Sequence, residues 1–143
     1  MGQAVRKGKG GQGVLVLLID TSAWIEFFKG TEKGAKVRKE IEENTCYVTS
    51  ESMAEVARWC FESKADVDKR FEEINGLTSS VLYMGRKTER RAGELAVSVN
   101  KGRKKRIGLM DCTIAAVAEE NDLTVLTADS DFLELGAKAK VIR

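Results

Sequence analysis

Histidine is absent from all 143 residues, and that gap excludes much of hydrolytic chemistry. Ser-His-Asp and Cys-His nucleophile pairs need an imidazole, and so do His-ligated zinc and a titrating base near neutral pH. Any hydrolysis by this chain must rest on carboxylates, lysine, tyrosine or a metal held by oxygen. Proline is also absent, and the cysteines are only three, Cys46, Cys60 and Cys112. An odd count without a C-x-x-C pair argues against a disulfide framework or a zinc site, and fits reduced thiols in a cytoplasmic protein. No apolar run approaches the length of a membrane span. The run Val14–Ile19 follows a basic, glycine-rich start, but it is too short for a signal peptide and ends on Asp20.

The length suits one domain. A hydrophobic fraction of 43% and a charged fraction of 32% are those of a soluble globular protein. The net charge of +2 is too small to indicate a partner by itself. We expect residues 1–13 to be a disordered tail and residues 14–143 to form the folded unit.

Short apolar runs alternate with segments of helical period. Val14–Ile19 is rich in β-formers and reads as a central parallel strand covered on both faces. Further strands are expected at Cys46–Val48, Val81–Met84, Thr124–Leu126 and Ala139–Ile142. Helices are expected at Ala23–Lys29 with Thr21 or Ser22 as cap, then at Glu32–Glu43, Ser52–Glu62, Ala65–Ile74, Lys87–Asn100 and Leu109–Asn121. Ser130–Leu135 reads as a shorter one. Trp24 and Trp59, at helical spacing among apolar neighbours, read as core or dimer contacts rather than stacking platforms. This alternation predicts a three-layer α/β/α sandwich with a mainly parallel central sheet.

Active sites of such sheets lie beyond the carboxyl ends of the strands, near a switch in strand order. Asp20 directly follows the first strand, and Asp129 follows the Thr124–Leu126 strand. Both therefore project from one edge. Asp111 sits at a helix start, and Glu55 lies one turn into its helix beside Met53 and Val56. Each acid alone has a plain structural reading as a cap, a dipole partner or a solvated group. Four together at strand ends and helix starts weaken that reading.

Four segments carry a family resemblance. They are Asp20-Thr21-Ser22 after the apolar strand, Glu55 within Ser-Met-Ala-Glu-Val, Asp111-Cys112-Thr113-Ile114-Ala115-Ala116, and Thr127-Ala128-Asp129-Ser130-Asp131-Phe132. In this order the set resembles PIN-domain ribonucleases, and the short form resembles the VapC toxins of VapBC toxin–antitoxin pairs. The likeness runs over nearly the whole chain from Val14. It implies that Asp20, Glu55, Asp111 and Asp129 are the catalytic acids and ligands of Mg²⁺ or Mn²⁺. It also implies that Ser22 and Thr127 support the site, and that Asp131 is a ligand-supporting or helix-stabilising acid. Cys112 receives no catalytic role.

The implied reaction is metal-dependent hydrolysis of an RNA phosphodiester, leaving a 5′-phosphate and a 3′-hydroxyl. The implied partners are a cognate antitoxin and a second copy of the chain. A housekeeping RNA-processing nuclease or an inactive scaffold of the same family would share the fold. A dehalogenase-type phosphatase would need an acid where Ser22 stands, and a receiver domain would need paired acids after the first strand. Of two basic clusters, Arg86–Arg91 and Lys101–Arg106, the second precedes Asp111. Its Arg103, Lys104, Lys105 and Arg106 are therefore the expected RNA-facing rim.

Overall fold

The computed structural model describes residues 14–143, so the tail expected over residues 1–13 lies outside the described residues. Five strands form the sheet: β1 (Val16–Ile19), β2 (Thr45–Thr49), β3 (Ser80–Leu82), β4 (Thr124–Thr127) and β5 (Ala139–Val141). Among the described residues six α-helices surround it: α1 (Thr21–Lys29), α2 (Glu32–Glu43), α3 (Ser50–Ser63), α4 (Val67–Leu77), α5 (Arg86–Val99) and α6 (Leu109–Glu120). The last short helix is a 3₁₀ turn, Ser130–Glu134.

All neighbouring strands pair in parallel, in the order β3-β2-β1-β4-β5. The chain winds outward from β1 to β3, then returns to place β4 against the free side of β1. The order therefore switches between β1 and β4. Leu17 pairs with Thr124, Leu18 with Val125 and Ile19 with Leu126. The ladder continues with the Asp20 N–H donating to the Leu126 carbonyl at 3.0 Å. Asp20 thus emerges level with Thr127 at the carboxyl end of the sheet.

The continuous apolar character of β1 reflects burial on both faces. Leu17 and Ile19 pack with Cys46, Val48, Leu126 and the inner faces of α1 to α4. Leu18 points the other way, into a cluster with Tyr47, Val125, α5 and α6. These two clusters are the two sides of an α/β/α sandwich, as expected. Trp24 is wholly buried. It stacks on Phe28, which stacks in turn on Trp59. The α1–α2 hairpin is close enough that a Cβ on Gly34 would stand 2.1 Å from the Glu26 carbonyl oxygen, so glycine is required there by space.

Element ends differ from expectation where a side chain takes over the first turn. Helix α1 begins at Thr21, and its cap is Asp20, whose carboxylate accepts from the Ala23 N–H. The expected caps Thr21 and Ser22 are inside the helix, and their hydroxyls are used elsewhere. Helix α3 begins at Ser50 because Thr49 caps it through the Ser52 N–H, and α4 begins at Val67 because Asp66 caps it. Helix α5 runs antiparallel to α6. Arg91 of α5 bonds Glu119 near the end of α6, while Asn100 just past α5 bonds Ile107 just before α6. This hairpin delivers the start of α6 to the carboxyl end of the sheet.

Candidate active site

Asp20 is the most completely held side chain of the site. It is 3% exposed. Its Oδ1 accepts from the Ser22 hydroxyl at 2.8 Å and from the Ala23 N–H at 3.1 Å, and its Oδ2 accepts from the Thr127 hydroxyl at 2.8 Å. Each hydroxyl also accepts from a backbone amide: Ser22 Oγ from Ala128 N at 3.0 Å, Thr127 Oγ1 from Asp129 N at 2.9 Å. The incoming amides occupy a lone pair on each oxygen, and the single proton of each hydroxyl is left for Asp20. One small network thus ties the ends of β1 and β4 together.

Asp129 follows two residues after β4 and caps the 3₁₀ turn, its Oδ1 accepting from the Asp131 N–H at 2.9 Å. Glu55, half-buried on α3, accepts from the Thr21 hydroxyl at 2.6 Å. The sequence offered Thr21 only as a helix cap. Its position next to Asp20, on a helix packed against α3, was the available signal for a site contact. Asp111 lies in the first turn of α6. Among the described residues, no group donates a hydrogen bond to its carboxylate.

The electrostatics show that these acids share one environment. Burial pushes the Asp111 carboxyl up to about 7, with added repulsion from Asp20, Asp129, Glu55 and Asp131. Its place at a helix start favours the charged form, but only by a fraction of a kcal/mol to about 1 kcal/mol, and burial with four neighbouring acids outweighs it. Burial raises Asp20 to about 6 despite the opposing hydrogen bonds from Ser22, Thr127 and Ala23, and Asp129 adds repulsion. The group repelled by the most acids is therefore also one without a hydrogen-bond donor.

The carboxylates do not form a closed cage: among the described residues, no three acidic or thiol side chains converge in a ligating set. The donor chemistry nevertheless suits a hard divalent cation. Mg²⁺ takes oxygen ligands, keeps several waters and is held by one or two carboxylates rather than by an all-protein shell. A cation would also relieve the repulsion at Asp111. A cavity of about 180 Å³, lined by Ala54, Glu55, Arg58 and Met110, opens beside Glu55. A larger one, about 370 Å³, lies between α5 and α6 against Lys87, Thr88, Arg91, Ala116, Glu119 and Glu120. It sits toward the far end of α6 from Asp111 and takes no part in the acidic cluster.

Of the expected basic rim, Lys104, Lys105 and Arg106 are exposed. Arg103 is turned inward and bonds Glu134 and the Lys105 carbonyl.

The fold and the site are those of an α/β protein with carboxylates near the switch point of a parallel sheet. The PIN domain family model matches residues 17–138, and the chain belongs to that family. A comparison with curated proteins finds no match. Solved structures do match. A chain of the DNA-bound VapBC from Salmonella typhimurium is 19% identical with a TM-score of 0.70, over 91% of this chain and 100% of that one. A chain of VapBC2 from Rickettsia felis, bound to a promoter DNA fragment, is 17% identical with a TM-score of 0.70, over 88% and 98%. VapC20 from Mycobacterium tuberculosis, a sarcin–ricin loop cleaving toxin, is 16% identical with a TM-score of 0.69, over 85% and 95%. At these identities the likeness is one of fold.

Proposed function

We propose that the chain is a Mg²⁺- or Mn²⁺-dependent endoribonuclease and the toxin of a type II toxin–antitoxin pair. The observation that carries the nuclease reading is the acidic carboxyl edge of the sheet: Asp20 tied to Thr127 across β1 and β4, Glu55 tied to Thr21 beside it, and Asp111 in the first turn of α6, which packs on α3. Such a cluster is costly to leave uncompensated, and a divalent cation is the compensation its oxygen chemistry favours. Asp20, Glu55, Asp111 and Asp129 are the residues that would hold it. When bound, the metal supplies Lewis-acid polarisation of a phosphoryl oxygen and a water of lowered pKa.

The chain's own contribution is orientation. Ser22 and Thr127 fix both oxygens of Asp20, so this carboxylate meets its ligand without rotating. Thr21 steers Glu55 from the adjoining helix. Asp131 stands inside the Asp129-capped turn, two residues past Asp129, and adds negative potential at Asp111. Lys104, Lys105 and Arg106 would attract the phosphate backbone toward this edge. The expected products carry a 5′-phosphate and a 3′-hydroxyl. A fold shared with chains of VapBC complexes supports an antitoxin partner, and a homodimer is part of the same proposal. Among the described residues no helix is long and apolar enough to cross a membrane; a cytoplasmic site of action is part of the same proposal.

The test is cleavage of a structured RNA by purified protein with Mg²⁺, with EDTA, and by Asp20→Asn. Loss of cleavage in the last two is expected. Cleavage that survives in Asp20→Asn at the wild-type rate would sink the assignment. Co-purification with the product of an adjacent small reading frame tests the toxin reading, and light scattering tests the dimer.

A further inference from the structure

The five cations between Lys101 and Arg106 are not equivalent. Asn100 closes the base of their loop: its Nδ2 donates to the Ile107 carbonyl at 2.9 Å, and its Oδ1 accepts from the Ile107 N–H at 2.7 Å. Asn100 is buried, so this clamp is sheltered from water. Within the loop the Arg103 N–H donates to the Asn100 carbonyl, and Gly102 adopts a positive φ of 73° that the turn requires. The geometry carries the Arg103 side chain inward while Lys101, Lys104, Lys105 and Arg106 stay exposed.

The Arg103 guanidinium spans three groups. Its Nε donates to the Lys105 carbonyl at 3.0 Å, one terminal nitrogen bonds Glu134 at 2.6 Å, and the other lies 3.9 Å from Asp131. Glu134 and Asp131 belong to the 3₁₀ turn that Asp129 caps. A 3₁₀ turn is a weak element, with poor hydrogen-bond geometry and short runs. The planar fork of arginine suits a bridge of this kind, and lysine cannot reproduce it.

We propose that Arg103 is a positioning residue: it seats the Ser130–Glu134 turn against the basic loop and so fixes Asp129 and Asp131 relative to Asp111. The RNA-facing charge of the loop then falls to Lys104, Lys105 and Arg106. This division of labour rests on the nuclease reading for its purpose, but the seat itself is a statement about the free protein. Asp131 becomes half of an anchor, which explains why an acid stands there without ligating geometry of its own. Glu134, half-exposed and outside the acidic cluster, is the other half.

Two measurements separate the seat from a phosphate contact. The first is amide hydrogen exchange of the metal-free, RNA-free protein. Arg103→Ala and Arg103→Lys should each speed exchange across residues 130–135 by about tenfold, because this opening is local, while the core strands keep their protection. Glu134→Gln should produce a smaller effect in the same residues. Unchanged exchange in Arg103→Ala would overturn the proposal. The second is the salt dependence of single-stranded RNA binding, measured in an Asp20→Asn background to prevent cleavage. Lys104→Ala should reduce the slope of log K against log salt by about 0.7, the loss of one phosphate contact, whereas Arg103→Ala should leave it unchanged. A reduction of that size in Arg103→Ala would assign Arg103 to the RNA instead. If the protein binds no RNA, the nuclease reading fails, and the exchange result still decides the seat.

Discussion

Two acids of the site, Asp20 and Asp111, are held in opposite ways. Asp20 receives three hydrogen bonds, shared between its two oxygens. Asp111 receives none among the described residues and faces repulsion from four acids. Yet burial raises both, to about 6 and about 7. The contrast teaches that hydrogen bonding here sets direction more than charge. Three donors aim the Asp20 carboxylate without overcoming its loss of water, whereas Asp111 meets burial and like charge with no donor to offset them.

The largest expected effect comes from removing either charge. Asp20→Asn and Asp111→Asn should each lower metal-dependent RNA cleavage by at least about 10²-fold, on the scale of losing a preorganised electrostatic group. The two variants should part in stability. Asp111→Asn removes a repelled charge and should raise the melting temperature at pH 8 without metal. Asp20→Asn turns an amide N–H₂ toward a hydroxyl proton or a backbone N–H and should not raise it. Equal stabilisation by both would erase the contrast.

Next in size is the response to pH. The folded-state pKa of each acid is raised above the ordinary carboxyl value of 3.8, so the native state binds more protons between these values. The contribution of these two groups to stability is full below about pH 4 and is lost as pH rises through about 6 to 7. For deeply buried Asp20 the shift corresponds to about 3 kcal/mol. Denaturation of the metal-free protein from pH 4.5 to 8 should show this decline, and Mg²⁺ should raise the melting temperature more at pH 8 than at pH 5. A Mg²⁺ effect independent of pH would separate the ion from these carboxylates.

Smaller effects should follow from the hydroxyls. Thr127→Val keeps the shape but strips Asp20 Oδ2 of its donor and Asp129 N of its acceptor, at a cost of about 1–3 kcal/mol. Ser22→Ala strips the Ala128 N–H of its acceptor but leaves Asp20 Oδ1 its bond from Ala23, and should cost about 1 kcal/mol. Chemical denaturation with unchanged m-values would measure both. A Thr127→Val protein as stable as the parent would mean that water replaces the hydroxyl.

Particular residues show how far the sequence could be read. The run Val14–Ile19 announced a doubly buried strand because alternate residues feed two separate cores. Asp20 and Asp129 were legible because each follows a strand, and parallel strands end on one edge. The α1 cap was misplaced because Asp20, Thr21 and Ser22 are all good caps; only the partners at Thr127, Ala128 and Glu55 decide which of them serves the helix. Glu55 and Asp111 stood out mainly through family resemblance, since a helix start carries no information about where its helix is delivered. The inward turn of Arg103 was invisible in a run of like charges.

What the sequence determined by itself was the set of elements, the two-faced burial of the sheet and the exclusion of imidazole chemistry once histidine is absent. These are local or compositional properties, fixed by side-chain period and residue type. What only the tertiary structure decided was the contrast between Asp20 and Asp111. Return of the chain from β3 to the free side of β1 brings Thr127 within 2.8 Å of Asp20, and the α5–α6 hairpin brings Asp111 beside the other acids. Contacts across 107 positions of sequence depend on strand order, which no local pattern encodes.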